Sequence, residues 1–293
     1  MSWLCNYIRR RTGRLFPRSP NRSRRAAGWR RDARRQYLRV ASRPEIDGIL
    51  LIDKPVGITS HDVVARVRRS LGGPKTGHAG TLDPFAGGLL VVLVGRATKL
   101  QSKIMELPKR YETIARLGAR SSTGDPEGEI VETGQLPPDP PPLRTGEIRQ
   151  RPPIYSAIKI KGERAYRKAR RGESFQMPER IVTVNRFEQT WRTSQDEADP
   201  TTADAHPRAG YLIECSSGTY VRSLIADLGD AYCLELRRTA IGPFELAQAC
   251  APPPRGEIWT DPPILSIEHA LAEAERFQAL ARELARALRP SVT

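Results

Sequence analysis

The hydrophobic positions of this chain fall into short runs and alternating segments that predict strands. Residues 48–53 and 89–94 are apolar runs of the length expected for buried strands, and residues 234–241 are predicted as a further strand. Residues 109–118 alternate apolar and polar side chains, which predicts a half-buried strand with Tyr111 on one face. Further strands are predicted at residues 154–160, 180–191 and 210–216, the last two forming a hairpin.

Helical spacing appears between these strands. Ser60 is the expected N-cap of a helix whose apolar face carries Val63, Val64, Val67 and Leu71. Further helices are predicted at residues 97–105, 163–171, 221–232 and 266–288. The irregular order of helices and strands predicts an α+β fold with a mixed, largely antiparallel sheet and flanking helices.

Proline and polar residues mark the connections. Residues 136–142 hold five prolines, so we expect an exposed extended linker. Residues 193–209 are polar and acidic, which is typical of a long surface loop. No glycine-rich phosphate-binding loop occurs in the sequence, so a nucleotide cofactor is not indicated.

Charge is concentrated at the beginning of the chain. The whole chain carries a net charge of +15, and residues 1–47 hold 14 arginines against three acidic residues, which leaves only +4 for the remainder. Such a segment cannot build a core, and we expect it to be disordered. Three roles stay open for it: a nonspecific RNA-binding arm, an organelle transit peptide, or no role.

The cysteines and histidines indicate neither disulfides nor a metal site. The four cysteines are widely separated and the four histidines do not cluster, so a reducing compartment and no metal are expected. The longest apolar run, residues 89–94, is too short to span a bilayer. We therefore expect a soluble cytoplasmic protein that does not contact membranes.

Residues 75–84, Lys-Thr-Gly-His-Ala-Gly-Thr-Leu-Asp-Pro, hold the strongest candidate for chemistry. Small residues precede Asp83 and Pro84 follows it, a pattern that predicts a tight loop presenting one carboxylate at the start of a buried strand. Taken alone, these residues fit an ordinary Asp-Pro turn without chemistry better than a catalytic loop.

Five segments in a fixed order change that interpretation. They are residues 48–60 (Gly-Ile-Leu-Leu-Ile-Asp-Lys-Pro-Val-Gly-Ile-Thr-Ser), residues 77–89 around Gly-His-Ala-Gly-Thr-Leu-Asp-Pro, Lys109-Arg-Tyr111, residues 153–159 (Pro-Ile-Tyr-Ser-Ala-Ile-Lys) and residues 218–222 (Gly-Thr-Tyr-Val-Arg). Together they resemble the TruB family of tRNA pseudouridine-55 synthases. The resemblance covers residues 48 to about 243.

The resemblance implies a pseudouridine synthase fold and the isomerisation of uridine 55 in the tRNA T-loop. It implies that Asp83 is the catalytic aspartate, that Tyr111 packs on the flipped-out base, and that Arg222 pairs with the aspartate. It also implies that the cleft or the RNA contacts include Lys54, Pro55, His78, Tyr220, Leu236, Lys159, Arg164 and Arg167. The implied partner is the tRNA T-arm, bound by a monomer without metal or organic cofactor.

These residue types suit the reaction. Breaking the bond between the base and C1′ leaves an electron-poor carbon, which a carboxylate meets as a nucleophile or as an electrostatic partner. An arginine binds a carboxylate through two parallel hydrogen bonds and keeps its charge. Glycoside hydrolysis needs a second carboxylate to activate water, and the Asp83 motif offers only one. We therefore expect the detached uracil to be recaptured.

The chain departs from the family pattern in three places. Residues 133–152 are short and proline-rich, residues 193–209 are enlarged, and residues 244–293 are too few for a complete PUA domain and instead suggest a linker and one helix. Residues 48–243 are the expected catalytic domain, with residues 151–180 closing over the RNA. Two other functions stay open: an inactive RNA-binding or RNA-folding protein, and a base-releasing glycosylase.

Overall fold

A computed structural model describes residues 46–193, apart from 157 and 161, and residues 206–287. Predictions for residues 1–45 and for the centre of the 193–209 loop lie outside this part of the chain. In the described part, no helix is both long enough and apolar enough to cross a bilayer.

A nine-stranded mixed sheet forms the centre of the molecule. Its strands are β1 (Gly48–Lys54), β2 (Thr76–His78), β3 (Gly87–Val94), β4 (Lys109–Leu117), β7 (Gly146–Gln150), β10 (Arg180–Arg192), β11 (Arg208–Cys215), β12 (Ala231–Ile241) and β13 (Phe244–Glu245). The order along the sheet is β1-β3-β12-β4-β11-β10-β7, with β2 beside β3 and β13 beside β12. Among these pairs only β3 and β12 run parallel. The predicted α+β class and largely antiparallel sheet are confirmed.

Short elements surround this sheet. Two small hairpins are formed by β5 (Ala119–Ser121) with β6 (Ile130–Glu132), and by β8 (Lys159–Ile160) with β9 (Glu163–Arg164). The helices are α1 (Ser60–Ser70), α2 (Gln101–Glu106), α3 (Ala165–Arg170), α4 (Val221–Ala226) and α5 (Ile267–Ala287), with 3-10 turns at Gly95–Leu100 and Leu246–Gln248.

The β1–β3 pair is covered on both faces, which explains why its sequence is continuously apolar. All eight residues of β3 are buried. One face, which includes Leu50 and Val92, packs on Val63 and Val67 of α1. The opposite face packs on residues of α5, among them Ala270.

A separate core supports the candidate site. It joins the centre of β4, β10 and β11 to α4, with Tyr111 and Leu236 at one side and Leu224 of the helix at the other. The site residues on β4, β12 and α4 are therefore held by one packed cluster.

Several predicted elements are wrong in type or extent. The predicted helix 221–232 ends at Ala226, because residues 227–230 form a turn in which Gly229 has φ +124°. The predicted strand 154–160 is reduced to Lys159–Ile160, and the strand Gly146–Gln150 was not predicted. The proline-rich linker is extended, yet Pro137 and Pro141 are buried.

The N-cap of α1 lies one residue before the predicted position. Thr59 is the cap, and its hydroxyl accepts from the Asp62 amide while the Asp62 carboxylate accepts from the Thr59 amide. This reciprocal pair satisfies two amides at the start of the helix. The Ser60 hydroxyl is thereby free for a contact with the Asp83 loop.

Candidate active site

The loop that carries Asp83 is anchored from α1. The Ser60 hydroxyl accepts from the Leu82 amide at 2.9 Å and donates to the Leu82 carbonyl at 3.1 Å. Both groups are buried, so these bonds fix the backbone immediately before Asp83. The carboxylate that follows is held at a defined place in front of β3.

Lys54 also holds the loop that carries Asp83. Its side chain is fully buried, and its ammonium donates to the carbonyls of Ile58 at 2.7 Å, Pro55 at 2.9 Å and Pro84 at 3.4 Å. Burial lowers the pKa of Lys54 to about 8. Lys54 therefore ties the turn after β1 to the residue that follows Asp83.

Arg222, in the first turn of α4, joins two carboxylates. Its side chain is 4% exposed, with one guanidinium nitrogen 3.0 Å from Asp83 Oδ2 and the other 2.8 Å from Asp125 Oδ2. The carbonyls of Thr123 and Tyr155 accept two further bonds, at 2.8 and 3.0 Å. With contacts on several sides, the guanidinium is locked in one orientation toward Asp83.

Both carboxylate oxygens of Asp125 are already bound by other groups. It is buried, one oxygen accepts from the Thr123 hydroxyl at 2.6 Å and the Glu127 amide at 3.0 Å, and the other binds Arg222. The expectation of a single carboxylate is therefore wrong, because a second one lies on the other side of Arg222. Its bonds hold it as a support for Arg222, which leaves Asp83 as the carboxylate facing the cavity.

The environment of Asp83 opposes its ionisation. Burial raises the pKa of Asp83, the nearby Asp125 charge raises it further, and Arg222 and Lys54 act in the opposite direction. The net shift is upward. The side chain is nevertheless 37% exposed, and that exposure opens into a cavity.

The cavity in front of Asp83 has a volume of about 330 Å³. Its lining includes Asp83, Tyr111, Tyr220, Arg222 and Leu236. A volume near the lower end of the usual ligand-pocket range suits one flat heterocycle with its sugar. Tyr111 supplies the aromatic face on which a base can stack.

A second cavity of about 600 Å³ also borders Asp83 and Arg222. Its lining includes Asp125, Glu127 and Glu129, whereas the first cavity is lined by Lys109, Arg180 and Arg238. A nucleotide brings its phosphates with it, so the basic cavity is electrostatically the better place for it.

Comparisons with known proteins decide the family. Residues 68–221 match the model described as TruB family pseudouridylate synthase (N terminal domain). The tRNA pseudouridine synthase B of Thermobifida fusca is 45% identical over 217 residues, which is 69% of this chain and 72% of that protein. The chain belongs to the TruB family. The resemblance of the five sequence segments is thus confirmed.

A second relative supports the same family assignment. The tRNA pseudouridine synthase B of Cutibacterium acnes is 44% identical over 221 residues, 69% of this chain and 70% of that protein. Among solved structures, a chain of a Cbf5-Nop10-Gar1 complex is 29% identical with a TM-score of 0.49; the match covers 68% of this chain and 50% of that one.

Some of the residues implied by the TruB resemblance border the first cavity and others do not. Asp83, Tyr111, Arg222, Tyr220 and Leu236 border the first cavity. Lys54 and the exposed Pro55 lie behind the Asp83 loop and do not border it.

His78, on β2, also lies outside the lining of the first cavity. Its ring packs edge-on against His61 with centroids 5.5 Å apart. Burial, with the nearby His61 and Arg238, lowers the pKa of His78 to about 4, so the ring is neutral at neutral pH.

The predicted basic cluster at residues 159–171 is partly neutralised by its own neighbours. Arg171 binds Glu163 and Glu173, and Lys168 also binds Glu173 at 2.9 Å. Arg164 and Arg167 are exposed, and Arg164 borders the second cavity. Lys159 lies on β8, and its side chain is outside the described part of the structure.

Sequence reasoning missed Asp125 and Arg238. Asp125 is followed by Pro126, which repeats the Asp-Pro pattern of Asp83 and Pro84, so a search for a second such turn would have found it. Arg238 gives no comparable signal, because an arginine on a strand is usually solvent-exposed. Only the fold shows that it is 1% exposed and borders the cavity.

Proposed function

We propose that this protein is an RNA-modifying isomerase that converts uridine to pseudouridine in tRNA, at position 55 of the T-loop. The proposal is carried by the Asp83–Arg222 pair, 3.0 Å apart at the wall of a nucleoside-sized cavity that also holds Tyr111. It is supported by the TruB relatives, which are named tRNA pseudouridine synthases.

The first step brings the target into the cavity. A uridine inside a folded RNA loop must leave its stack, which costs a few kcal/mol. Stacking on the Tyr111 ring returns about 1–3 kcal/mol. Leu236 also borders this cavity and adds an apolar contact for the base.

The second step breaks the bond between N1 and C1′. Both bonding electrons go to the uracil, and the Asp83 carboxylate meets the electron-poor C1′ as a nucleophile or as a counter-charge. The uracil rotates, C5 bonds to C1′, and the proton on C5 is lost to water. Arg222 opposes the effect of burial on the pKa of Asp83 and so favours the ionised carboxylate.

Within the part of the chain that the structure describes, no carboxylate is placed to activate water. Asp125 is the nearest candidate among the described residues, and Arg222, Thr123 and the Glu127 amide occupy its oxygens. Hydrolysis to free uracil therefore lacks its general base. This arrangement favours isomerisation over a glycosylase reaction.

The catalytic domain and two further segments of the chain have separate roles in this function. Residues 48–243 form the catalytic domain, residues 151–180 contact the T-arm through Lys159, Arg164 and Arg167, and residues 1–47 add a basic extension. The proposed protein acts on tRNA as a monomer in the cytoplasm.

Tritium release from a T-arm RNA labelled at uridine C5 tests the function. The wild-type protein should release tritium and form pseudouridine, and Asp83→Asn should do neither. Glu112→Gln is the matched control, because Glu112 is exposed on the strand that carries Tyr111 and does not border the first cavity. Free uracil with abasic RNA would indicate a glycosylase, and binding without either product would indicate an RNA-binding protein.

A further inference from the structure

Arg238 is the one arginine in the described chain that is almost fully buried and has no carboxylate partner. It is 1% exposed, lies on β12 directly across from Tyr111 on β4, and borders the first cavity. Its closeness to the proposed reaction centre makes its charge relevant to the chemistry.

Main-chain carbonyls satisfy the hydrogen bonds of Arg238 but not its charge. Nε donates to the Leu89 carbonyl at 2.8 Å and Nη2 to the Gly80 carbonyl at 3.0 Å. None of the ion pairs in the described residues includes it, whereas Arg222 has two carboxylates. Buried charges are normally paired because desolvation is costly. The pocket thus holds a fixed positive charge for which the described residues supply no counter-ion.

The guanidinium also acts on Tyr111. Burial raises the pKa of the Tyr111 phenol, and the positive charge of Arg238 opposes that rise. Arg238 and Tyr111 are cross-strand neighbours and both border the first cavity, so the phenol O–H lies beside this positive charge and can donate toward the cavity.

We propose that Arg238, together with the Tyr111 hydroxyl that it polarises, stabilises the negative charge that develops on the uracil as it leaves C1′. This inference rests on the proposed isomerase function. When N1–C1′ breaks, the electron pair stays with the base, and the charge spreads onto its carbonyl oxygens. A preorganised positive group in a water-poor pocket stabilises such charge more than water does.

The test compares two leaving bases. Fluorine at C5 withdraws electrons, so the 5-fluorouracil anion is the more stable one and needs less help from Arg238. Single-turnover consumption of the target nucleoside is measured in T-arm RNA that carries either uridine or 5-fluorouridine, by chromatography of nuclease digests. Consumption of the fluorinated nucleoside does not require loss of fluorine.

Arg238→Met should slow consumption of uridine by about 100- to 1000-fold, the usual effect of removing a preorganised donor. Consumption of 5-fluorouridine should be slowed at least about tenfold less, because less charge stabilisation is lost. Arg237→Met is the matched control, because the Arg237 side chain is 47% exposed and pairs with Asp53 at 2.7 Å outside the first cavity. It should slow both substrates little and equally.

Equal slowing of both substrates by Arg238→Met would overturn the inference and leave Arg238 as a structural support of the Gly80 and Leu89 backbone. Should Arg238→Met fail to fold, Arg238→Lys is compared on the same two substrates, and uridine should again be slowed more than 5-fluorouridine. A wild-type protein that consumes neither substrate would instead overturn the proposed function.

Discussion

At the residue scale, the site depends on how two carboxylates share one guanidinium. Arg222 binds Asp83 and Asp125 on its two sides, and each contact constrains the other. Asp83 opens into the cavity, whereas Asp125 is 4% exposed and saturated with donors. One carboxylate is therefore available for chemistry because the other holds the arginine in place.

Asp125→Asn should change the pH dependence of the reaction. The negative charge of Asp125 raises the pKa of Asp83, so its removal should lower that pKa. The acid limb of kcat/KM reports ionisation of the free enzyme, and it should move to lower pH. The rate at neutral pH should still fall by roughly 10- to 100-fold, because a misplaced Arg222 disturbs the reacting geometry.

Steady-state kinetics from about pH 4 to 8, a range that spans the ordinary and the raised carboxyl pKa, measures both effects. Glu127→Gln is the control, since Glu127 is exposed in the same loop and offers only its amide to Asp125. An acid limb that stays in place in Asp125→Asn would mean that Asp83 does not sense the Asp125 charge.

Asp83→Asn should abolish activity and raise stability at neutral pH. Burial raises the pKa of Asp83 in the folded protein above that in the unfolded chain, so ionising this group costs stability once the pH rises through the folded pKa. Asparagine removes that cost, and Arg222 keeps Asp125 as a partner.

Thermal denaturation of both proteins at several pH values checks this expectation. The Tm advantage of Asp83→Asn should be present at neutral pH and shrink as the pH falls and wild-type Asp83 takes up a proton. A lower Tm for Asp83→Asn at neutral pH would show that the ion pair with Arg222 outweighs desolvation.

At the element scale, the site lies where β3 and β12 run side by side in parallel. Gly88 pairs with Arg238 at this crossing. It has φ +99°, and a Cβ placed there would lie 2.4 Å from the Arg238 carbonyl oxygen and 2.7 Å from its amide nitrogen. Only glycine lets the two backbones approach this closely.

Gly88→Ala should destabilise the protein far more than Gly57→Ala. Gly57 has a similar φ of +82° with nothing within 4 Å of an added methyl group, so alanine there bears only the cost of the left-handed backbone, about 1–2 kcal/mol. Gly88→Ala adds a backbone collision and must separate β3 from β12. Urea denaturation of the two variants measures the difference. Equal losses would mean that the crossing can widen without cost.

Strands are predicted best from the sequence where one face or both faces of the strand are buried. The strands at residues 48–53, 109–118 and 180–191 were found because their apolar patterns match the strand period or a fully buried run. The strand Gly146–Gln150 was missed because only Gln150 in it is buried, so no hydrophobic pattern marks it. For the site, the family motifs point to Asp83, Tyr111 and Arg222, but the burial of Arg238 depends on tertiary structure.

At the scale of the whole molecule, the distribution of charge determines how the protein meets a polyanion. Residues 48–293 carry a net charge of only +4, so the folded body lacks a strong overall field. The basic side chains that line the first cavity act locally. Binding strength should then depend on a few individual phosphate contacts and not on the total charge.

Arg164 and Arg171 allow a comparison between an arginine that is available to RNA and one whose charge is neutralised by its neighbours. Arg164 is exposed and borders the cavity beside Asp83, whereas Arg171 is bound by Glu163 and Glu173. Each phosphate contact contributes about one to the slope of log K against log salt concentration. Arg164→Gln should therefore weaken T-arm binding and lower that slope by about one.

Arg171→Gln should leave the slope nearly unchanged, because its charge is already balanced by two carboxylates. Filter binding of the T-arm at about 50 to 300 mM salt, where phosphate contacts weaken measurably, provides both slopes from one series. If Arg171→Gln lowered the slope as much as Arg164→Gln, the RNA would have to break the Glu163 and Glu173 pairs on binding. The segment from residue 159 to 171 would then rearrange around the RNA. The ion pairs of Arg171 with Glu163 and Glu173 would be a feature of the RNA-free protein only.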